Sequence, residues 1–312
     1  MGLEMDAEVA EALAGGTALV IARDDWSALR AGREAVLAAR AGQLPKIDSV
    51  ERTDYVCRSY DDAEIMVRWF QPRDHPAEPG PALVYLHGGG MILGSVELYD
   101  RRIAAYAEDG EVPILAVDYR LAPESVYPTP VEDCFAGLTW LLTHAEELNV
   151  SPTRVAVMGD SSGGGLAAGV AILARNRGVR LARQILVYPM LDDRTTVSDA
   201  VLAPFALWTY DENYTGWHAL LGDLIGSAHV PGDAAPAREQ VMSELTDAYL
   251  EVGELDIFRD EVIEYARRLS REGVSAELHV HPGCPHGFDS LAPQSSVARR
   301  ARADRIRVIR SI

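Results

Sequence analysis

Two glycines with a serine midway between them sit inside the segment Arg154 to Ala168, RVAVMGDSSGGGLAA. Its residues pass from β-branched to glycine-rich to small and apolar, which predicts a strand turning sharply into a helix. At that turn Gly159-Asp160-Ser161-Ser162-Gly163 has the form G-x-S-x-G, a nucleophile elbow that lifts a hydroxyl clear of a sheet. A serine so placed needs a strained backbone. Glycines two positions to either side remove the Cβ atoms that would strike the neighbouring strand and helix. Centring the motif on Ser162 would put Asp160 where the first glycine belongs, so Ser161 is the candidate nucleophile.

The same glycines also fit a looser pattern, because Gly163-x-Gly165-x-x-Ala168 matches the dinucleotide fingerprint G-x-G-x-x-A. That fingerprint expects an acidic residue after a second strand about 20 residues on. None follows Ala182 to Gln184 until Asp192, and the glycines fall inside the helix start instead of opening the turn. Nucleophilic chemistry accounts for them better.

A serine hydroxyl is a weak nucleophile until a base takes its proton, and that base needs a carboxylate to fix its tautomer. In elbow-bearing sheets the chain order is Ser, then Asp or Glu, then His. Downstream of Ser161 one strand runs into Gly253-Glu254-Leu255-Asp256, and the next runs into Gly283-Cys284-Pro285-His286-Gly287-Phe288. The required order is present. His286 is preferred over His279 and His281, which alternate along AELHVH and are expected on that strand's outer face or edge. Among Glu254, Asp256, Asp260 and Glu261, the last two fall in the first turn of a helix, where acids favour the dipole. Asp256 is the better orienting acid. Backbone donors for an oxyanion, typically worth about 3 kcal/mol each, are offered where the strand ALVYLH ends in His87-Gly88-Gly89-Gly90, together with the N–H of Ser162 at the helix start.

Strands and helices alternate from residue 55 onward. Strands are expected at Glu64 to Gln71, Ala82 to His87, Pro113 to Tyr119, Arg154 to Met158, Gln184 to Tyr188, Ala248 to Val252 and Ala276 to His281, several of them continuous apolar runs. Helical stripes occur at Val131, Cys134, Phe135 and Leu138, and again at Val262, Tyr265, Ala266 and Leu269. Repeated strand-then-helix units imply a mostly parallel sheet covered on both faces. Residues 1–45 are alanine-rich and helical in pattern. Residues 194–245 carry Pro204, Trp208, Tyr210, Tyr214, Trp217 and Pro231 with no clear strand. Both regions are expected to build a helical cap over the carboxyl ends of the strands.

The 312 residues are 48% hydrophobic and 24% charged, as in an ordinary globular protein. With 29 Lys+Arg against 47 Asp+Glu the net charge is -18, which repels phosphate backbones and anionic membranes. No nucleic-acid or membrane partner is expected. The C-terminal run Arg299, Arg300, Arg302, Arg305, Arg307 and Arg310 fits the solvated face of a last helix with Val297, Ala301, Ile306 and Ile309 turned inward. Cys57, Cys134 and Cys284 form neither a disulfide framework nor a zinc spacing. No metal and no cofactor are expected. The opening MGLEMDAEVAEALAGG lacks a basic region before an apolar stretch, so no signal peptide and a cytoplasmic setting are expected.

The chain resembles bacterial carboxylesterases of the hormone-sensitive-lipase family of α/β-hydrolases. HGGG at 87–90, DYRLAPE at 118–124, GDSSGG at 159–164, YPML at 188–191, DIFRDE at 256–261 and HGF at 286–288 carry the resemblance, in family order along nearly the whole chain. It implies an α/β-hydrolase catalytic domain over residues 46–193 and 246–312, with cap segments at 1–45 and 194–245. It further implies Ser161 as nucleophile, Asp256 as acid, His286 as base, and the amides of Gly88, Gly89, Gly90 and Ser162 as oxyanion donors. The aromatic residues of the expected cap and the acidic exterior suggest small to medium, uncharged acyl esters as substrates. Met91, Tyr188, Trp208, Tyr210 and Trp217 are candidates for the substrate pocket. The chain departs from the family in having Ser162 where alanine is usual, and Met91 where an aromatic is frequent. An amidase, lactonase, deacetylase or acyltransferase would use the same triad. A ligand-binding relative would lack a triad member, and none is missing. A homodimer is compatible with the resemblance.

Overall fold

The computed structural model describes residues 2–15, 21–74 and 78–312. Two helices come first, α1 (Ala7–Leu13) and α2 (Trp26–Gln43), followed by the strands β1 (Val50–Arg58), β2 (Glu64–Pro72) and β3 (Gly80–Leu86). From there α3 (Val96–Gly110), β4 (Ile114–Val117), α4 (Thr129–Thr143), β5 (Val150–Asp160), α5 (Ser162–Asn176) and β6 (Gln184–Val187) alternate. After α6 (Tyr210–Leu221) the alternation resumes with β7 (Ala248–Gly253), α7 (Arg259–Arg271) and β8 (Ala276–His281), and the described chain closes with α8 (Phe288–Leu291) and α9 (Ser296–Arg310). The eight strands form one sheet in the order β1-β2-β4-β3-β5-β6-β7-β8. β2 pairs antiparallel with β1 and β4, and every other pairing is parallel. This is the expected α/β-hydrolase architecture.

The core follows from the sequence. β4, β6 and β7 are buried at every position, as strands covered on both faces must be, and the apolar runs ILAV and QILV supply the side chains. α5 lies over the centre of the sheet and is buried from Ser162 to Ala174, which its glycines and alanines permit by keeping the helix surface thin. At β3, Leu83 faces Ile114 on one side and Ala156 on the other and is fully enclosed.

Register places the functional loops. Leu86 pairs with Gly159, Asp160 with Val187, Val187 with Glu251, and Gly253 with His281. The carboxyl ends of β3, β5, β6, β7 and β8 therefore lie in a row. The glycine run, the elbow, Tyr188, Asp256 and His286 all leave the sheet along that one rim.

Three features differ from the sequence-based expectations. β1 was not anticipated: VERTDYVCR is polar and only Val50 and Cys57 are buried, because the strand lies at the sheet's edge and exposes most of its surface. His281 is 4% exposed instead of lying on an outer face, with its ring 5.2 Å from that of Phe288. Arg305 is 1% exposed instead of solvated, because α9 turns it inward onto Glu251 and Asp289, while Ile306 is only partly buried.

α1 packs Val9 among Cys284, Phe288 and Ala301, and Asp6 N donates to Gly283 O at 2.9 Å. It therefore braces the loop that carries His286. α2 lies against α3 and α6. Residues 194–245 contain α6 and the short 3-10 turns Ala203–Phe205, Gly222–Leu224 and Pro236–Arg238. Among the described residues no helix is long and apolar enough to cross a membrane. Replacing the central strand residue in Leu83→Ala should lower unfolding free energy by about 2–5 kcal/mol, seen in urea titration as a lower midpoint with an unchanged slope.

Candidate active site

Ser161 sits between β5 and α5 at φ 57° and ψ -121°, a conformation that L-residues adopt only under constraint. Its N–H donates to Val187 O at 2.9 Å, and its carbonyl accepts from Met190 N at 3.0 Å and Gly165 N at 3.1 Å. The flanking glycines are needed sterically. A Cβ on Gly159 would lie 2.1 Å from Gly163 O, and one on Gly163 would lie 2.1 Å from Leu86 O. The turn is thus clamped between strand, helix and the next strand.

His286 leaves β8 in a loop locked to the end of β7, where Leu255 N donates to Cys284 O and Glu254 N to His281 O, both at 2.9 Å. His286 Nε2 lies 3.0 Å from Ser161 Oγ, and His286 Nδ1 lies 2.6 Å from Asp256 Oδ2. The chemistry assigns the proton to Nδ1, donated to the carboxylate, so that Nε2 accepts from the hydroxyl. Asp256 is 1% exposed, and its other oxygen accepts from Phe258 N at 3.0 Å. The imidazole is walled by Tyr188 and Phe258, whose rings stand edge-on to it at 4.9 and 5.1 Å.

The competing acids have other partners. Glu254 accepts from Gly283 N at 2.9 Å, and Asp260 pairs with Arg259 at 2.7 Å. Glu261 turns away from its helix end to accept from Leu191 N at 2.6 Å, and burial pushes its carboxyl well above the usual range. His281 is pushed down to about 4, chiefly by burial and then by the Arg305 charge, so it is neutral near pH 7.

The glycine run is held from below by the segment DYRLAPE. Tyr119 stacks on the His87 ring at 4.3 Å and donates its hydroxyl to His87 O at 2.7 Å, while Asp118 Oδ1 accepts from Val96 N at 2.7 Å. Ala122 N donates to Met91 O at 2.9 Å. From above, Arg30 of α2 donates to Ile92 O at 2.5 Å and to Ala122 O at 2.8 Å, and Glu34 accepts from Gly94 N at 3.2 Å. None of these supports was apparent from sequence, although the motif DYRLAPE marked their location. Gly88 sits over Asp160 and Ser161, close to the Tyr99 hydroxyl. The N–H groups of Gly89, Gly90 and Ser162 meet no protein acceptor among the described residues. The Ser162 hydroxyl is buried with no hydrogen-bond partner among the described residues.

The pocket candidates divide by position. Trp208 covers Gly90, where an added Cβ would come within 2.7 Å of its ring, and its Nε1 donates to Asn213 Oδ1 at 3.2 Å. Gly216 of α6 lies over the Gly90 carbonyl. Met91 is buried directly after the glycine run at φ 62°, and Tyr188 stands against His286. Tyr210 is buried in the first turn of α6 and Trp217 is wholly enclosed within the core. Away from this rim, β8 and α9 bring Glu277, His279 and Asp304 within ligating distance of one another, a cluster that sequence spacing did not show because Asp304 comes from the distant α9. Arg307 already pairs with both carboxylates.

Residues 83–290 match a family model described as alpha/beta hydrolase fold. The chain is similar to an ethyl acetate hydrolase of Pseudomonas putida, 35% identical over 80% of this chain and 78% of that one. It is equally similar to the carboxylesterase NlhH of Mycobacterium tuberculosis, 35% identical with the same shares of each chain. Among solved structures it resembles a bacterial heroin esterase, with TM-score 0.90 and 37% identity over 98% of this chain and 97% of that one. The chain thus belongs to the α/β-hydrolase fold family, among the bacterial carboxylesterases of the hormone-sensitive-lipase type.

Proposed function

We propose that the protein hydrolyses small to medium, uncharged acyl esters through an acyl-enzyme on Ser161. The observation that carries this reading is the chain of contacts Ser161 Oγ to His286 Nε2 at 3.0 Å and His286 Nδ1 to Asp256 at 2.6 Å. Beside it lie the amides of Gly89, Gly90 and Ser162, which meet no acceptor among the described residues.

The ester carbonyl lies over the elbow with its oxygen toward those amides. Ser161 attacks the carbon as His286 takes the hydroxyl proton, and the buried Asp256 carboxylate stabilises the imidazolium so formed. The tetrahedral oxyanion is held by the three N–H groups. Collapse expels the alkoxide, which leaves as the alcohol with the proton that His286 returns. Water then enters, gives a proton to His286 and attacks the acyl carbon, and Ser161 departs with that proton. No group beyond the chain's own residues is required.

α2 and residues 194–245 act as the cap. Trp208 and the backbone of α6 close the space beyond Gly90, which favours short acyl chains, and the net charge of -18 disfavours anionic ones. A relative named for ethyl acetate is in keeping with this.

Ser161→Ala should reduce kcat for p-nitrophenyl butyrate by about 10⁴-fold or more with an unchanged circular dichroism spectrum; activity surviving that change counts against the reading. Asp256→Asn should lower kcat by about 10⁴-fold, since the amide favours the wrong imidazole tautomer, and stopped-flow release of p-nitrophenol measures it. Trp208→Ala should move the preferred p-nitrophenyl ester toward longer acyl chains, with kcat/KM for the octanoate rising about 10-fold or more relative to the acetate. An unaltered chain-length profile would place Trp208 outside the acyl pocket.

A further inference from the structure

Behind the proposed triad lies a cluster of charges that the reaction does not use. Asp160, immediately before the nucleophile, is 1% exposed and pairs with Arg102 of α3 at 2.7 Å. The other branch of the same guanidinium donates to Ser290 Oγ, in the short helix that begins two residues after His286. Next to it Arg305 of α9 pairs with Asp289 at 2.5 Å and donates to Glu251 Oε1 at 2.9 Å. Asp289 also accepts from the Tyr188 hydroxyl at 3.0 Å, and Tyr188 is the residue edge-on to the imidazole.

Buried ion pairs seldom add net stability over apolar residues of the same size. Their geometry is better explained by what they connect. Arg102 joins the strand end that bears the nucleophile to the helix that follows the base, two segments whose separation fixes the distance from Ser161 Oγ to His286 Nε2. The guanidinium is suited to this because its planar fork holds two acceptors at a set angle, which an ammonium cannot do. Arg305 acts in parallel through Asp289 and Tyr188. Tyr188 is held at φ 35°, with its N–H donating to Glu251 O at 2.7 Å and its hydroxyl on Asp289, so both ends of this strained residue are fixed. Burial alone would raise the Asp289 carboxyl, but the charges of Arg305 and then Arg102 hold it below the usual range, and it stays an acceptor for Tyr188.

Building on the esterase reading, we propose that Arg102 is a positioning residue, a strut between Asp160 and Ser290 that sets the Ser161–His286 spacing.

The test measures kcat and KM for p-nitrophenyl butyrate in Arg102→Met, Arg102→Lys and the double variant Arg102→Met with Asp160→Asn. Each rate is divided by the number of sites that titrate with diethyl p-nitrophenyl phosphate, so that loss of folded protein does not count as loss of rate. Displacement of a reacting group by about 1 Å costs about 100-fold. Arg102→Met should therefore lower kcat per site by about 10- to 100-fold with KM within about twofold. Arg102→Lys, able to reach one partner but not both, should fall between Arg102→Met and the unmodified protein. The double variant removes the unpaired buried carboxylate and should fold even where Arg102→Met does not, yet it should keep the kcat defect. A double variant with unaltered kcat per site would overturn the proposal, as would a lysine variant no better than methionine. Hydrolysis that survives Ser161→Ala would instead overturn the esterase reading itself, and the proposal with it, so the two failures are told apart.

Discussion

Ser161 occupies a backbone conformation that costs about 1–3 kcal/mol, and the structure is arranged to hold it there. The constraint runs outward in three directions: into β6 through the Ser161 amide, into α5 through its carbonyl, and into the end of β3 through the contact of Gly163 with Leu86. Each of those elements carries a further part of the site. β3 leads to the unengaged amides, β6 leads to Tyr188 against the imidazole, and α5 begins with the Ser162 amide. Because the strands are parallel and their carboxyl ends lie in register, a turn fixed at one strand end fixes the position of its neighbours. The proposed chemistry thus depends on a sheet that cannot shift by a residue without parting hydroxyl from imidazole.

Much of this was legible in sequence because it rests on local signals. The buried strands declare themselves as apolar runs, and the elbow by glycines that steric clashes of 2.1 Å make obligatory. The order Ser161, Asp256, His286 follows from loops at successive strand ends, and the structure brings those three side chains into one hydrogen-bonded line. What could not be read depends on partners distant in the chain. β1 is a polar edge strand whose pairing with β2 is its main structural support. Arg305 lies in a run of arginines that periodicity assigns to solvent, and only the placement of Glu251 and Asp289 reveals why α9 turns it inward. His281 alternates like an exposed residue, yet Phe288, the first residue of α8, covers it.

The supports of the glycine run illustrate how the proposed cap and the sheet layer are joined. Tyr119 and Ala122 hold it from the sheet side, while Arg30 and Glu34 of α2 hold it from the other. Trp208 closes over Gly90, and Arg33 of α2 donates to Leu207 O at 2.6 Å, beside that tryptophan. α2, part of the proposed cap, is therefore mechanically continuous with the loop proposed to bind the oxyanion. In the proposed reading the same few contacts set pocket shape and oxyanion geometry, so substitutions in α2 would bear on rate as well as on selectivity.

The proposed chemistry rests on Ser161 as the nucleophile and on its activation by His286. Its most direct measurement is the site and rate of phosphorylation by diethyl p-nitrophenyl phosphate, followed by peptide mass spectrometry on the unmodified protein and on His286→Ala. One phosphoryl adduct per chain is expected, on the peptide containing Ser161, with the rate lowered by about 10³-fold or more in the alanine variant. An adduct on another residue, or labelling of Ser161 at the same rate without the imidazole, would contradict it.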